Sequence, residues 1–68
     1  MEERKKYYIC TTYIDMPDSE YNGKRVIEEE TYDNYETAIS VARQGYSKQK
    51  IRSVLDENYN ELTSFYLV

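Results

Sequence analysis

DNYETAISVARQG, Asp33 to Gly45, is the stretch whose reading decides the fold. Tyr35, Ala38, Ile39 and Ala42 fall at i, i+3, i+4 and i+7, one apolar stripe on a helix. Asp33 is placed to cap that helix, and Glu36 three residues later completes an acidic form of the capping box. Gly45 is the expected left-handed terminator, with Tyr46 beyond it packing back on Val41. The spacing predicts a helix from about Asn34 to Gln44. Its inner-face alanines allow close approach to whatever it covers.

Strand patterns flank this helix on both sides. KKYYICTTYI, Lys5 to Ile14, is rich in β-branched and aromatic residues and contains no breaker. DMPDSEYNG, Asp15 to Gly23, concentrates Pro, Asp, Ser, Asn and Gly, which is turn chemistry. Its length for a hairpin predicts a mobile middle. KRVIEEETY, Lys24 to Tyr32, then reads as a second strand pairing back on the first. Beyond the helix, KIRSVLD (Lys50 to Asp56) and ELTSFYLV (Glu61 to Val68) are strands joined by ENYN, a tight-turn sequence. The order is ββαββ, and the expected fold is α+β: one domain over residues 1–68, a four-stranded antiparallel sheet with the helix on one face. The other face stays open. Strand one is substantially apolar on both sides, with Tyr7, Ile9, Thr11 and Tyr13 alternating with Tyr8, Cys10, Thr12 and Ile14. The open face is therefore expected either to bind a partner or to be buried in a homodimer.

Composition bounds the function. The chain has 68 residues and a net charge of -4, and at this size only about 60% of the unfolded surface is buried on folding. Leu, Ile, Val and Phe are scarce, so part of the core must come from the nine tyrosines. One cysteine and no histidine exclude an internal disulfide, a zinc centre of the usual ligands and a thiol-imidazole pair. There is no Gly-rich phosphate loop and no nucleophile beside an evident base, so neither an enzyme nor a cofactor is expected. The acids of the DMPDSEYNG loop lack the ligand order of a calcium loop, and no metal is expected there. Cys10 reads as a small buried hydrophobe. No segment has the apolar length of a secretion signal or a membrane span, and the single thiol suits a reducing, cytoplasmic setting.

Charge is segregated along the chain. Asp15 to Glu36 holds eight acids against Lys24 and Arg25, whereas Thr37 to Ser53 holds Arg43, Lys48, Lys50 and Arg52 with no acid. A strand alternates faces, so Glu28 and Glu30 lie opposite to Glu29, and the run fits only a strand that bulges, ends early or lies at a sheet edge. The ordinary reading of this run is edge protection followed by a helix cap. The sharper reading gathers Glu28, Glu30, Asp33 and Glu36 with the loop acids Asp15, Asp18 and Glu20 into one patch that imitates a nucleic-acid backbone. Tyr21, on the polar loop, is the tyrosine best placed to touch a partner.

In size and composition the chain resembles small acidic proteins of phages and mobile elements that inhibit DNA-binding host enzymes. That resemblance implies an inhibitor or regulator that engages a basic partner protein. The alternative is a nucleic-acid-binding accessory domain in which Lys5, Lys6, Arg43, Lys48, Lys50 and Arg52 line a phosphate rim and tyrosines stack on bases. Its strand-strand-helix start resembles the small arm-type DNA-binding domains of phage integrases. The sequence pI of about 4.7 weighs against nucleic acid, because phosphate neutralisation dominates such affinity.

Overall fold

The computed structural model of the chain describes residues 5–67. Its elements are β1 (Tyr7–Tyr13), β2 (Arg25–Tyr32), α1 (Tyr35–Arg43), β3 (Lys50–Leu55) and β4 (Glu61–Phe65), the ββαββ order that the patterning anticipates. The strands form one antiparallel sheet in the order β2-β1-β3-β4. Because β2 and β3 both run antiparallel to β1, they are parallel to each other, and α1 is the crossover that carries the chain over β1. Strand ends are shorter than expected: β1 begins at Tyr7, and β4 stops at Phe65, which pairs with Arg52. The end of the expected fourth strand, Val68, lies outside the described residues. Among the described residues no helix is long and apolar enough to cross a membrane.

The covered face of the sheet is the Tyr7, Ile9, Thr11 side of β1. Ile9 and Val54 pack against Ala38 and Ala42 with essentially no exposure, and Tyr7, Tyr32, Ile39, Val41 and Phe65 surround them. The alanines let helix and sheet approach closely. At the helix start, the Tyr35 ring meets Tyr7 with centroids 5.4 Å apart, so Tyr35 joins the rim of the core while remaining part-exposed.

Both helix ends differ from the sequence-based expectation. The N-cap is Asn34, with φ -124 and ψ 124, and its side-chain oxygen accepts from the Thr37 amide at 3.1 Å. Asp33 is consumed by the bend that takes the chain out of β2, because Tyr32 is still paired with Tyr7. Glu36 therefore sits at the second helical position; it favours the dipole there but closes no capping box. At the other end Gln44 is the C-cap in right-handed geometry, and Gly45 does not take the left-handed conformation. Gly45 is needed for space instead. A Cβ there meets the Arg52 guanidinium, with Cζ 2.6 Å and Nε 3.1 Å away. Tyr46 turns to Phe65, stacked at 6.4 Å.

The open face is less bare than strand one suggests. Cys10, Ser53 and Leu55 lie there and are 1%, 2% and 1% exposed. Tyr59 folds over from the β3–β4 turn to meet Tyr8, with tilted rings and centroids 4.9 Å apart. That turn is a three-residue loop, Glu57 to Tyr59. The Tyr59 amide donates to the Asp56 carbonyl, Tyr59 adopts φ 65, and the Asp56 amide donates to the Asn60 carbonyl. This is a type I turn closed by a left-handed residue, with tyrosine where glycine or asparagine is usual.

The β1–β2 connection, expected to be mobile, is a succession of hydrogen-bonded turns. Ser19, Asn22 and Lys24 amides donate to the Met16, Ser19 and Tyr21 carbonyls, and Asn22 Oδ1 accepts from the Met16 amide at 3.0 Å. Gly23, at φ 82, forms with Lys24 a bulge opposite Tyr13, and this positive φ is what requires glycine.

Candidate protein-binding surfaces

The expected single acidic patch is divided by the hairpin geometry. The Asp15–Gly23 loop leaves β1 at Tyr13, while β2 ends at Tyr32 opposite Tyr7. Asp15, Asp18 and Glu20 therefore sit at one end of the sheet, and Asp33 and Glu36 at the other. Eight strand residues separate them, about 25 Å.

Glu28 is withdrawn from either group. β2 is an edge strand, as its glutamates suggest, and the register shifts so that Ile9 alone faces Glu28, Glu29 and Glu30. Glu28 points to the helix side, where its Oε2 lies 3.1 Å from Arg52 Nη2 and accepts from Thr11 Oγ1 at 3.5 Å. The Arg52 side chain is 15% exposed and that of Glu28 37%. Arg52 reaches this position across β1 and beneath Gly45, and its Nε is buried without a hydrogen-bond partner among the described residues. A half-buried pair of this kind adds little net stability, yet removing one partner leaves the other stranded. Arg52 and Glu28 are thus parts of the structure. Neither presents a free charge, which removes Arg52 from the expected phosphate rim and Glu28 from the expected patch.

The end of the sheet at Tyr7 and Tyr32 keeps three of the expected acids together and adds three that the sequence reading did not include. Glu30, Asp33 and Glu36 come from β2 and the helix start. Asp56, Glu57 and Glu61 come from the β3–β4 turn, since Leu55 pairs with Tyr8. The two groups are two to three strand spacings apart, about 10–14 Å, with Lys5 and Lys6 between them. Shallow concavities flank these lysines, one lined by Tyr32 and Asp33, the other by Tyr7, Asp56, Glu57 and Leu62.

Local hydrogen bonds shift three titrating side chains at this end. The Tyr32 hydroxyl donates to Glu30 Oε2 at 2.9 Å. That bond to a carboxylate, with some burial and the nearby negative charges, raises the phenol above its ordinary range. Tyr59 is raised by its hydrogen bond with Tyr8, partly offset by Lys6. Asp56 is lowered, chiefly by the amide of Asn60 and then that of Asn58, which donate to its Oδ1 at 2.9 and 2.8 Å. It stays ionised at neutral pH and anchors the turn.

The opposite end is mixed, with most of the free cations. Tyr21 is 51% exposed and rests on Tyr13 with centroids 5.8 Å apart. Lys24 Nζ lies 5.5 Å from the Tyr21 ring centroid and Lys50 Nζ 6.0 Å from that of Tyr13. Lys48 lines a concavity with Ile14, Asp15 and Leu67, and Arg43 lies over the Phe65 ring at 5.3 Å. Tyr21, grouped with the acids in the sequence reading, has Lys24 over its ring. Lys5 and Lys6 are at the far end from Lys48 and Lys50, so the basic residues form no continuous rim. Among the described residues no three carboxylates or cysteines converge as a metal ion needs. No family model, curated protein sequence or solved structure matches the chain.

Proposed function

We propose that the chain is a non-catalytic protein-binding module whose acidic end engages a basic surface of a partner protein, in an inhibitory or regulatory role of the kind small phage proteins play. The observation that carries this reading is the collection of Glu30, Asp33, Glu36, Asp56, Glu57 and Glu61 at one end of the sheet from two separate hairpins. Asp33, Glu36, Glu57 and Glu61 are exposed. The spacing between the two acid groups is close to the ~12 Å width of the DNA major groove, which suits a partner that binds nucleic acid. Such a field steers a cationic surface toward this end.

The test is charge reversal with the fold intact. Asp33→Lys, Glu36→Lys, Glu57→Lys and Glu61→Lys combined should abolish capture of the partner from host extract, while Asp15→Lys, Asp18→Lys and Glu20→Lys should leave it. Capture by the wild type should also fall with salt. Equal loss with both sets, or retention with the first, overturns the reading. Glu28 is unsuitable for this experiment because its reversal breaks the Arg52 pair and unsettles the sheet.

A second reading, a nucleic-acid-binding accessory domain, is favoured by the tilted Tyr13–Tyr21 ring pair between Lys24 and Lys50. It would show as a mobility shift of single-stranded DNA at low salt that Lys48→Glu and Lys50→Glu remove.

A further inference from the structure

We propose that the free edge of β2 pairs antiparallel with β2 of a second copy, about a two-fold axis at Ile27. β2 ends the sheet order, so its outer backbone groups have no strand beside them. It is the longest strand, and Val26 and Ile27 upon it are 44% and 43% exposed. The phase of the hydrogen bonds determines which backbone groups point outward. The Tyr13 amide donates to the Lys24 carbonyl at 2.9 Å, and the Gly23 amide donates to the Tyr13 carbonyl. In the antiparallel alternation, Thr11 and Val26 then form the next bonded pair, while Arg25 and Ile27, opposite Thr12 and Cys10, turn N–H and C=O to the open edge.

A two-fold axis normal to a sheet pairs a residue with itself and its neighbours in mirror order. Lys24-Arg25-Val26-Ile27-Glu28-Glu29-Glu30 is complementary to itself under that operation only when Ile27 is the centre. Ile27 then meets Ile27, Arg25 meets Glu29 of the second copy on the open face, and on the helix face Lys24 meets Glu30 of the second copy while Val26 lies beside Glu28 of the second copy, which its own Arg52 already pairs. Each ionic pair occurs twice. Centring on Glu28 stacks glutamate on glutamate, and centring on Val26 sets Arg25 against Ile27. Parallel pairing in register sets Arg25 on Arg25 and each of the three glutamates on itself. Cross-strand opposite charges stabilise a ladder and like charges oppose it, so one register is selected. Arg25 and Glu29 have no ionic partner among the described residues, where the Glu28–Arg52 bridge is the one salt bridge.

The ladder is short, because the register shift of β2 against β1 lies between Ile27 and Thr31 and bulges interrupt edges. A contact of this length buries less than the roughly 1,000 Å² that a stable interface clears, so the dimer is a weak, transient one.

Sedimentation velocity of the full chain at low salt should show concentration-dependent dimerisation across the micromolar range. Arg25→Glu or Glu29→Arg alone should weaken it about tenfold or more, and the exchange of both should return it to within about threefold of the wild type. Both residues are exposed, and unchanged circular dichroism checks the fold of each variant. Amide exchange at Arg25 and Ile27 should slow only at concentrations where the dimer forms. A monomer throughout the range overturns the proposal. So does a dimer indifferent to the single reversals, which would assign association to the open sheet face.

Discussion

Gly45 illustrates how a residue's reason differs from its reputation. After a helix, glycine is expected to supply left-handed backbone, and here it supplies room for the Arg52 guanidinium on its way to Glu28. Gly45→Ala should therefore destabilise the protein by about 1–3 kcal/mol in urea unfolding, through displacement of a side chain that is pinned at its far end. In an Arg52→Ala background the same substitution should be neutral or slightly stabilising, since the clash with the guanidinium is gone and alanine lowers unfolded-state entropy. A Gly45→Ala cost that persists without Arg52 would place the conflict elsewhere. No local signal in the sequence foretells this requirement. The two residues are seven apart in the chain and meet only because α1 delivers Gly45 above the start of β3. The reverse holds for Tyr59, which takes the left-handed position itself; its ring contact with Tyr8 offsets a backbone cost of about 1 kcal/mol.

At the scale of elements, patterning identifies types and misjudges ends. The helix was legible because Tyr35, Ala38, Ile39 and Ala42 share a stripe, and the strands because β-branched and aromatic residues cluster between turn residues. Its cap was not, because Asp33 and Asn34 are both good caps and the choice depends on how far β2 stays paired with β1. Asn34→Ala should cost about 1 kcal/mol and Asp33→Ala no more than about 0.5 kcal/mol, measured as shifts in the urea midpoint. The β3–β4 turn carries a pH dependence of known sign. Asp56 has a lowered pKa in the folded chain, so its contribution is fully present above the ordinary carboxylate value of 3.8 and is lost as pH falls through the lower folded value. Asp56→Ala should thus be less stable than the wild type at neutral pH, with the gap narrowing below about pH 4. A gap that is constant with pH would mean that the carboxylate charge plays no part in holding the Asn58 and Asn60 amides.

For the whole molecule, the arrangement of charge is what the linear order conceals. Asp15, Asp18 and Glu20 are close to Glu28 and Asp33 in sequence, yet the hairpin sends them to the other end of the sheet. Asp56, Glu57 and Glu61 are distant in sequence, yet the order β2-β1-β3-β4 brings them to the same end as Asp33 and Glu36. The lysines separate likewise, Lys5 and Lys6 to one end and Lys48 and Lys50 to the other. By itself the sequence determined the element types, their order and the one-sided helix, because periodicity and turn chemistry act over a few residues. Tertiary structure alone decided which face of β1 the helix covers and which strands lie at the edges. It also decided that Glu28 and Arg52 neutralise each other and which acids share an end. Those outcomes depend on strand order and register, which are set by packing between segments far apart in the chain.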